Sequence, residues 1–163
     1  MQDIWNRIES WLEVNAPEIH SDLLVGATDE EIFSAEELMD IRFPDDVKVS
    51  YRIHNGQLGD SSPLLGEWQL YSLENIKSRW KVLKNLFEAG KLNAEATPIG
   101  PVRAEWWNPK WIPIAHNGAG DLYCLDLVPA AGGQVGQIIS FWHMDEKRER
   151  LANSFQEWLQ KYA

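Results

Sequence analysis

The chain has 163 residues, of which 44% are hydrophobic and 11% aromatic, and its formal net charge is −10. This length and composition predict one ordered domain over residues 1–163 and exclude a disordered chain. Because an acidic protein repels nucleic-acid phosphates and anionic lipids, we expect neither nucleic acid nor a membrane as partner. The N-terminus lacks the pattern of a signal peptide and Cys124 is the only cysteine, so we expect a cytoplasmic protein.

The negative charge is concentrated at one end of the chain. Residues 1–60 hold 14 acidic and 4 basic side chains, whereas residues 61–163 hold 11 of each. Such a segment is either a solvated face that keeps the protein soluble or a surface that attracts a basic partner. The charge pattern leaves both interpretations open.

An amphipathic helix is predicted at the N-terminus. Its apolar residues at helical spacing are Ile4, Trp5, Ile8, Trp11 and Leu12. Asp3 is placed to cap the helix, and Pro17 lies just beyond its end.

A second helix is predicted to begin at Thr28. Thr28 and Glu31 have the spacing of a capping box, in which each side chain accepts a bond from the other residue's backbone N–H. We expect this helix to end at Phe43, since the residue before a proline avoids helical angles. Its apolar face is predicted at Ile32, Ala35, Leu38 and Met39.

The next segment, residues 45–54, carries two conflicting signals. Apolar and polar residues alternate through VKVSYRI, which favours a strand. Pro44 followed by two aspartates is instead a good helix start, and Gly56 is a plausible helix stop. The pattern by itself favours the strand.

The middle of the chain predicts a strand, a helix and a long loop. Residues 66–71, GEWQLY, have strand character, and the following helix has its cap at Ser72 and its end at Gly90. The apolar stripe of that helix is Ile76, Trp80, Leu83 and Phe87. Residues 91–109 contain three prolines and predict a long loop, which in compact domains is often functional.

The C-terminal part predicts an antiparallel meander. Three apolar runs, WIPIA, LYCLDL and GQIISFWH, have the length of strands. The stretch HNGAGD, residues 116–121, joins the first two runs, and Asn-Gly in that position is a strong hairpin signal. A second capping box at Ser154 and Glu157 predicts a terminal helix. Its inward residues are expected to be Phe155, Trp158, Leu159 and Tyr162.

The motifs of catalysis and of cofactor binding are weak. HNGAGD runs from strand to strand with an acid at its end, whereas a phosphate-binding loop runs from a strand into a helix. The residues His116, Asp121, Cys124 and His143 show no recognised metal-ligand spacing. We therefore expect no metal and no cofactor. An enzyme using Asp121, His116 or His143 stays open as the less favoured alternative.

The nine tryptophans divide into two groups. Trp5, Trp11, Trp80, Trp142 and Trp158 lie on predicted apolar stripes or strands and are expected in the core. Trp68, Trp106, Trp107 and Trp111 flank predicted loops, where an exposed tryptophan is typical of an interface anchor. For Trp106 and Trp107, an interface and lid-like packing are equally favoured.

Two stretches resemble the SUKH superfamily. GATDEEIFSAEELMDIRFPDDVKVSYRIHNG is similar to its N-terminal pattern, and WIPIAHNGAGDLYCLDLVPAAGGQVGQIISFWH is similar to its sheet pattern. The resemblance covers about residues 24–160, and Phe43 and Asp40 depart from the usual leucine and glycine. It implies an α+β fold of N-terminal helices, a mostly antiparallel sheet and a C-terminal helix. It also implies a helix, and not a strand, at residues 45–54.

The same resemblance implies a binding function. The family includes fungal regulators of cell-wall glucan synthesis, and many bacterial members look like immunity proteins that neutralise a cognate toxin. No catalytic residue of the family can be carried over to this chain. We therefore expect a non-enzymatic protein-binding module that neutralises a basic toxin domain such as a nuclease, with a regulatory scaffold in cell-wall synthesis as the alternative.

The acidic segment supplies the residues expected to steer a basic partner, because opposite charges speed association. These acids are Asp29, Glu30, Glu36, Glu37, Asp40, Asp45 and Asp46. The expected aromatic anchors are Trp68, Trp106 and Trp107. Asp121 is also included among the expected partner-binding residues, because a hairpin turn does not require its carboxylate. Glu31 is explained as a cap.

Overall fold

The computed structural model describes residues 1–163 and has an α+β fold, as the sequence predicts. The helices are α1 (Gln2–Asn15), α2 (Pro17–Asp22), α3 (Asp29–Met39), α4 (Asp45–Ile53), α5 (Leu73–Glu88) and α6 (Phe155–Leu159). The strands are β1 (Leu23–Val25), β2 (His54–Gln57), β3 (Gln69–Leu70), β4 (Thr97–Ile99), β5 (Trp111–His116), β6 (Leu122–Asp126), β7 (Gln137–Phe141) and β8 (Lys147–Ala152). None of the helices combines the length and the apolar character that a bilayer span requires.

The main sheet has six strands in the order β3-β5-β6-β7-β8-β4. Strands β5 to β7 form the predicted antiparallel meander, and β8 continues it. Strand β8 and the parallel edge strand β4 were not expected, because β8 has the polar sequence KRERLA and β4 lies within the predicted long loop. Strands β1 and β2 form a separate small antiparallel sheet.

The main sheet is covered on both faces. Side chains alternate along β6, so Tyr123 points to the opposite face from Cys124. On the Tyr123 face, its ring meets Trp158 of α6 edge-on. The other face carries Phe141, over which the fully buried guanidinium of Arg148 is stacked at 4.5 Å. Both faces join one hydrophobic core of 36 buried residues.

Residues 45–53 are a helix, which confirms the expectation from the family resemblance and overturns the alternating pattern. Val47, Ser50 and Tyr51 are buried at helical spacing, whereas Val49 is 41% exposed. The indole Nε1 of Trp5 donates to the Ser50 hydroxyl at 2.9 Å, so α1 packs against α4 through a polar residue. A strand would place Val49 on the same face as Val47 and Tyr51.

Helix α3 begins as predicted and ends earlier than predicted. The capping box of Thr28 and Glu31 is complete, with reciprocal bonds of 3.2 and 2.8 Å. The helix ends at Met39 because Asp40 adopts a left-handed conformation, φ 51°, and the Ile41 N–H bonds back to Glu36. The expected end at Phe43 was therefore wrong by one helical turn.

Three residues expected in the core lie at the surface. Trp11 is 60% exposed, Leu38 37% and Tyr162 36%. Asp3 is not a cap either, since Met1 is the N-cap residue of α1 and no side chain bonds there.

Candidate partner-binding surface

The seven acids expected to steer a basic partner do not all reach solvent. Asp29, Glu30, Glu37, Asp40 and Asp45 are exposed. They lie along α3, at its C-terminal end and at the start of α4. Glu36 is buried and Asp46 is half-buried. The surface is therefore smaller than the sequence predicted.

Glu36 and Asp46 both bond to neighbouring backbone, and the burial of Glu36 corrects its assignment as a steering residue. The Glu36 carboxylate accepts from the Phe43 N–H at 2.7 Å and pairs with Lys48 at 3.1 Å. It thereby fixes the connection from α3 to α4. Asp46 accepts from the Gln156 N–H at 2.9 Å and so satisfies a free donor at the start of α6.

Most of the exposed acids are paired with bases. Asp29 meets Arg52 at 2.7 Å, and Glu37 meets Arg42 at 2.9 Å. Asp40 pairs with Lys110 at 3.3 Å, and the Lys110 ammonium also bonds the Asp40 carbonyl. Only Glu30 and Asp45 of the expected set are both exposed and without an ion pair. Residues 1–60 still carry a net negative charge, which acts at long range. The unpaired negative charge at α3 is smaller than the sequence suggested, because most of the acids there are paired.

Two of the three expected aromatic anchors are packed inside the protein. Trp107 is 1% exposed and meets Phe87 edge-on at 5.9 Å, so it offers no surface to a partner. Trp68 is 8% exposed and stacks on Tyr123 at 3.6 Å. The half-buried Trp106 covers the Arg148 guanidinium at 4.8 Å. Trp68 and Trp107 are thus corrected to core residues, and Trp106 packs as a lid over a buried cation.

Trp11 is an exposed tryptophan that the sequence pattern placed in the core. Its indole is 60% exposed beside a groove of about 430 Å³ between α1 and the C-terminus. The groove is largely apolar and is lined by Arg7, Ile8, Trp11, Leu12, Leu64, Lys161, Tyr162 and Ala163. Val14, one turn further along α1, is 79% exposed. We call this surface the Trp11 groove. No sequence signal separated Trp11 from the buried residues of the same stripe.

The HNGAGD turn closes upon itself through Asn117. The Asn117 side-chain oxygen accepts from the backbone N–H of Ala119 at 2.9 Å and of Asp121 at 3.3 Å. Gly118 and Gly120 take positive φ angles of 76° and 105°. These contacts are those of a hairpin turn, as the sequence predicts.

Asp121 joins this turn to the segment that follows β7. Its carboxylate accepts from the His143 ring and the His143 N–H, at 2.8 and 3.0 Å, and from the Asn117 amide at 2.9 Å. Burial acts to raise the pKa of Asp121, but the bonds from His143 and Asn117 outweigh it and hold the pKa below its usual value. The carboxylate whose role the sequence left open is therefore a brace between two loops.

The residues of the enzyme alternative are only partly brought together. Asp121 and His143 form a pair, whereas the His116 ring stacks on Tyr71 at 4.5 Å. Burial raises the pKa of the Cys124 thiol to about 12, so this thiol is protonated at neutral pH. No group of three or more His, Cys, Asp or Glu side chains has the geometry to hold a metal ion.

The chain is similar to several fungal regulators. It is 29% identical to "Cell wall biosynthesis/cell cycle regulator smi1" of Schizosaccharomyces pombe, over 98% of this chain and 34% of that protein. It is 26% identical to "Cell wall assembly regulator SMI1" of Saccharomyces cerevisiae, over 98% of this chain and 39% of that protein. A shorter match, 36% identical over 40% of this chain and 14% of the relative, is to "F-box only protein 3" of Homo sapiens.

The chain thus spans about a third of the length of the fungal relatives. The model of the SMI1 / KNR4 family (SUKH-1) matches residues 26–161, which include both stretches that carry the resemblance. The chain belongs to the SMI1 / KNR4 family (SUKH-1).

Proposed function

We propose that this chain is a non-enzymatic protein-binding module with a regulatory role in the assembly of a cell wall or a similar envelope. The observation that carries the proposal is the similarity over 98% of the chain to proteins named as cell-wall regulators. The whole of this chain corresponds to about a third of each such regulator, so the module acts there together with other segments.

The Trp11 groove supports binding to a protein. An exposed tryptophan beside an apolar groove is typical of interface hot spots, because it buries a large area at a small entropic cost. The groove volume of about 430 Å³ has room for one or two apolar side chains. We propose that a partner protein inserts an apolar side chain there, against the Trp11 indole.

A domain replacement tests the regulatory role. The segment of the Saccharomyces cerevisiae "Cell wall assembly regulator SMI1" that matches this chain is replaced by residues 1–163, in a strain that lacks the native gene. We expect the chimera to restore resistance to a glucan-degrading enzyme, compared with a version that lacks the segment. Growth no better than that of the deletion version contradicts the proposal.

Neutralisation of a basic toxin is the second candidate. It is favoured by the concentration of the excess charge of −10 in residues 1–60. A nuclease must attract phosphate, so its cleft is basic, and an acidic inhibitor is steered to it quickly. The ion pairs around α3 reduce this support, because they neutralise Asp29, Glu37 and Asp40 locally.

Salt dependence distinguishes the two candidates. A toxin captured by acidic steering should bind several-fold more weakly at physiological salt than at low salt, because salt screens exposed charges. Binding through the Trp11 groove is dominated by apolar burial and should change little. The measurement is the Kd of the purified partner at the two salt concentrations, and an affinity indifferent to salt contradicts electrostatic steering.

A further inference from the structure

A small polar pocket lies between α5 and the HNGAGD turn. Its volume is about 160 Å³, which is roughly five times the share of one water molecule in the liquid. The side chains of Tyr71, Arg79 and His116 line it, and the turn contributes Gly118 and Gly120. The pocket shares no residue with the Trp11 groove.

Arg79 is the unexplained group in this pocket. Its Nε is buried and has no acceptor, and the guanidinium forms neither a hydrogen bond nor an ion pair with the protein. A guanidinium presents five N–H donors in a planar fork that matches a carboxylate. Because leaving such donors unpaired at a half-buried position costs free energy, the pocket favours a ligand that accepts from them.

His116 supplies a second donor. Its Nδ1 accepts from the Gly118 N–H at 3.1 Å, so the proton of the neutral ring lies on Nε2. Burial, and secondarily the positive charge of Arg79, lower the pKa of His116, which keeps the ring neutral at pH 7. Stacking on Tyr71, with 17° between the rings, fixes its direction.

The charge of the ligand is limited by Asp121. This carboxylate lines the pocket, and its oxygens are already bonded to His143 and Asn117. Its pKa lies below the usual value, so it is ionised at neutral pH. A second negative charge beside Asp121 is repelled, and a dianion is repelled twice as strongly as a monoanion.

We propose that this pocket binds a single carboxylate, held by the fork of Arg79 and by Nε2–H of His116. The carboxylate comes either from the C-terminus of a protein chain or from an acidic side chain. The volume of the pocket, about 160 Å³, has room for one such group. This inference stands on the geometry of the pocket and not on the proposed regulatory role.

The test is a titration of the whole chain followed by the backbone amide NMR signals of Gly118 and Gly120. Acetate should shift both signals and saturate, and inorganic phosphate at the same ionic strength should bind more weakly. N-acetylglycine mimics a chain terminus, and N-acetylglutamate α-amide mimics an acidic side chain. Whichever of these two binds more tightly identifies the source of the carboxylate.

Variants on α5 supply the control. Arg79→Gln should weaken acetate binding about ten-fold, the loss expected for one charge-assisted pair of bonds. Lys81→Gln removes the same charge from an exposed position on the same helix and should bind acetate as the wild type does. Arg79→Lys keeps the charge without the fork and serves if Arg79→Gln fails to fold. Shifts that do not saturate, tighter binding of phosphate, or equal affinity in wild type and Arg79 variants would overturn the proposal.

Discussion

The chain contains two near-copies of one motif, HNGQLGD at residues 54–60 and HNGAGD at residues 116–121. The two copies have different structural roles. Asn55 reaches across the fold, since its side-chain oxygen accepts from the Leu73 N–H at the start of α5. The Asn117 side chain bonds only to residues of its own turn, Ala119 and Asp121. The asparagine of the first copy therefore connects distant elements, whereas the asparagine of the second copy stabilises a local turn.

The histidines show the same contrast. His54 lies between two elements, with Nδ1 near the Leu24 carbonyl at 3.1 Å and Nε2 on the Glu9 carboxylate at 2.9 Å. The Nδ1 of His116 accepts from the Gly118 N–H of its own turn at 3.1 Å, and the ring lines a pocket. The same short sequence thus serves as a structural joint in one place and as a candidate binding site in the other.

The largest expected difference in stability is between alanine variants of the two glycines that follow the asparagines, Gly56 and Gly118. A Cβ on Gly56 would lie 2.4 Å from the Tyr71 carbonyl oxygen, and its φ is 72°. A Cβ on Gly118 would meet nothing within 4 Å, at φ 76°. We expect Gly56→Ala to lower the free energy of unfolding by about 4 kcal/mol, and Gly118→Ala by about 1 kcal/mol.

Urea denaturation of both variants measures this difference. Because the two backbone angles are nearly equal, Gly118→Ala is the matched control for the cost of a positive φ. Equal losses of stability in the two variants would show that the close approach of β2 to Tyr71 is not rigid.

The second prediction concerns the two aspartates that brace the copies. Asp22 accepts from the N–H groups of Gly59 and Asp60, at 3.1 and 2.9 Å, and is 5% exposed. We expect Asp22→Asn to cost about 2 kcal/mol at pH 7, because the new amide turns a donor toward those N–H groups. Asp121→Asn, at the more exposed turn, should cost about 1 kcal/mol. Urea midpoints of the two variants give the comparison.

The pH dependence sharpens this prediction. Burial acts to raise the pKa of Asp22, but the bonds from Asp60, Gly59, Ser61 and Gln57 bring it below its usual value. A folded-state pKa below the unfolded one stabilises the protein above about pH 4 and stops doing so as the pH falls through the folded value. The deficit of Asp22→Asn should therefore shrink from pH 7 to pH 3. A deficit that stays constant over this range contradicts the role of the ionised carboxylate.

The smallest expected effect is on the histidine contacts. Glu9→Gln removes the charge that faces His54, and we expect a loss of about 0.5 kcal/mol, since the pair is partly open to solvent. His143→Gln, at the more exposed pair with Asp121, should lose no more than this. Thermal unfolding at low and high salt checks both, and a loss above 2 kcal/mol at either site would contradict the ranking.

Local signals in the sequence predicted much of the fold. Thr28 and Glu31 identify a helix start, and Asn117-Gly118 identifies a hairpin, because both motifs are satisfied by neighbouring backbone groups. The helix at residues 45–53 required the family resemblance, because a short segment with helical caps can also alternate. Strand β4 could not be predicted, since its parallel partner β8 lies about 50 residues away in the sequence.

The candidate surfaces were harder to predict than the fold. Trp11 was expected in the core and is exposed, whereas Trp107 was expected as a surface anchor and is buried. Exposure depends on which other element covers a residue in the fold, and its neighbours in the sequence do not determine that. Glu36 looks like any other acid of α3, but its position opposite the Phe43 N–H makes it a structural residue. Arg79 stands out only when its lack of a partner is visible in three dimensions.

The measurement that tests the central claim most directly compares two exposed aromatic residues in the yeast chimera. Trp11, 60% exposed, lies beside the proposed groove, and Phe33, 57% exposed, lies on α3. Resistance to the glucan-degrading enzyme should be lost with Trp11→Ala and retained with Phe33→Ala, while both variants unfold at the wild-type urea concentration. Resistance that survives Trp11→Ala, or is lost equally in both variants, would contradict binding through the Trp11 groove.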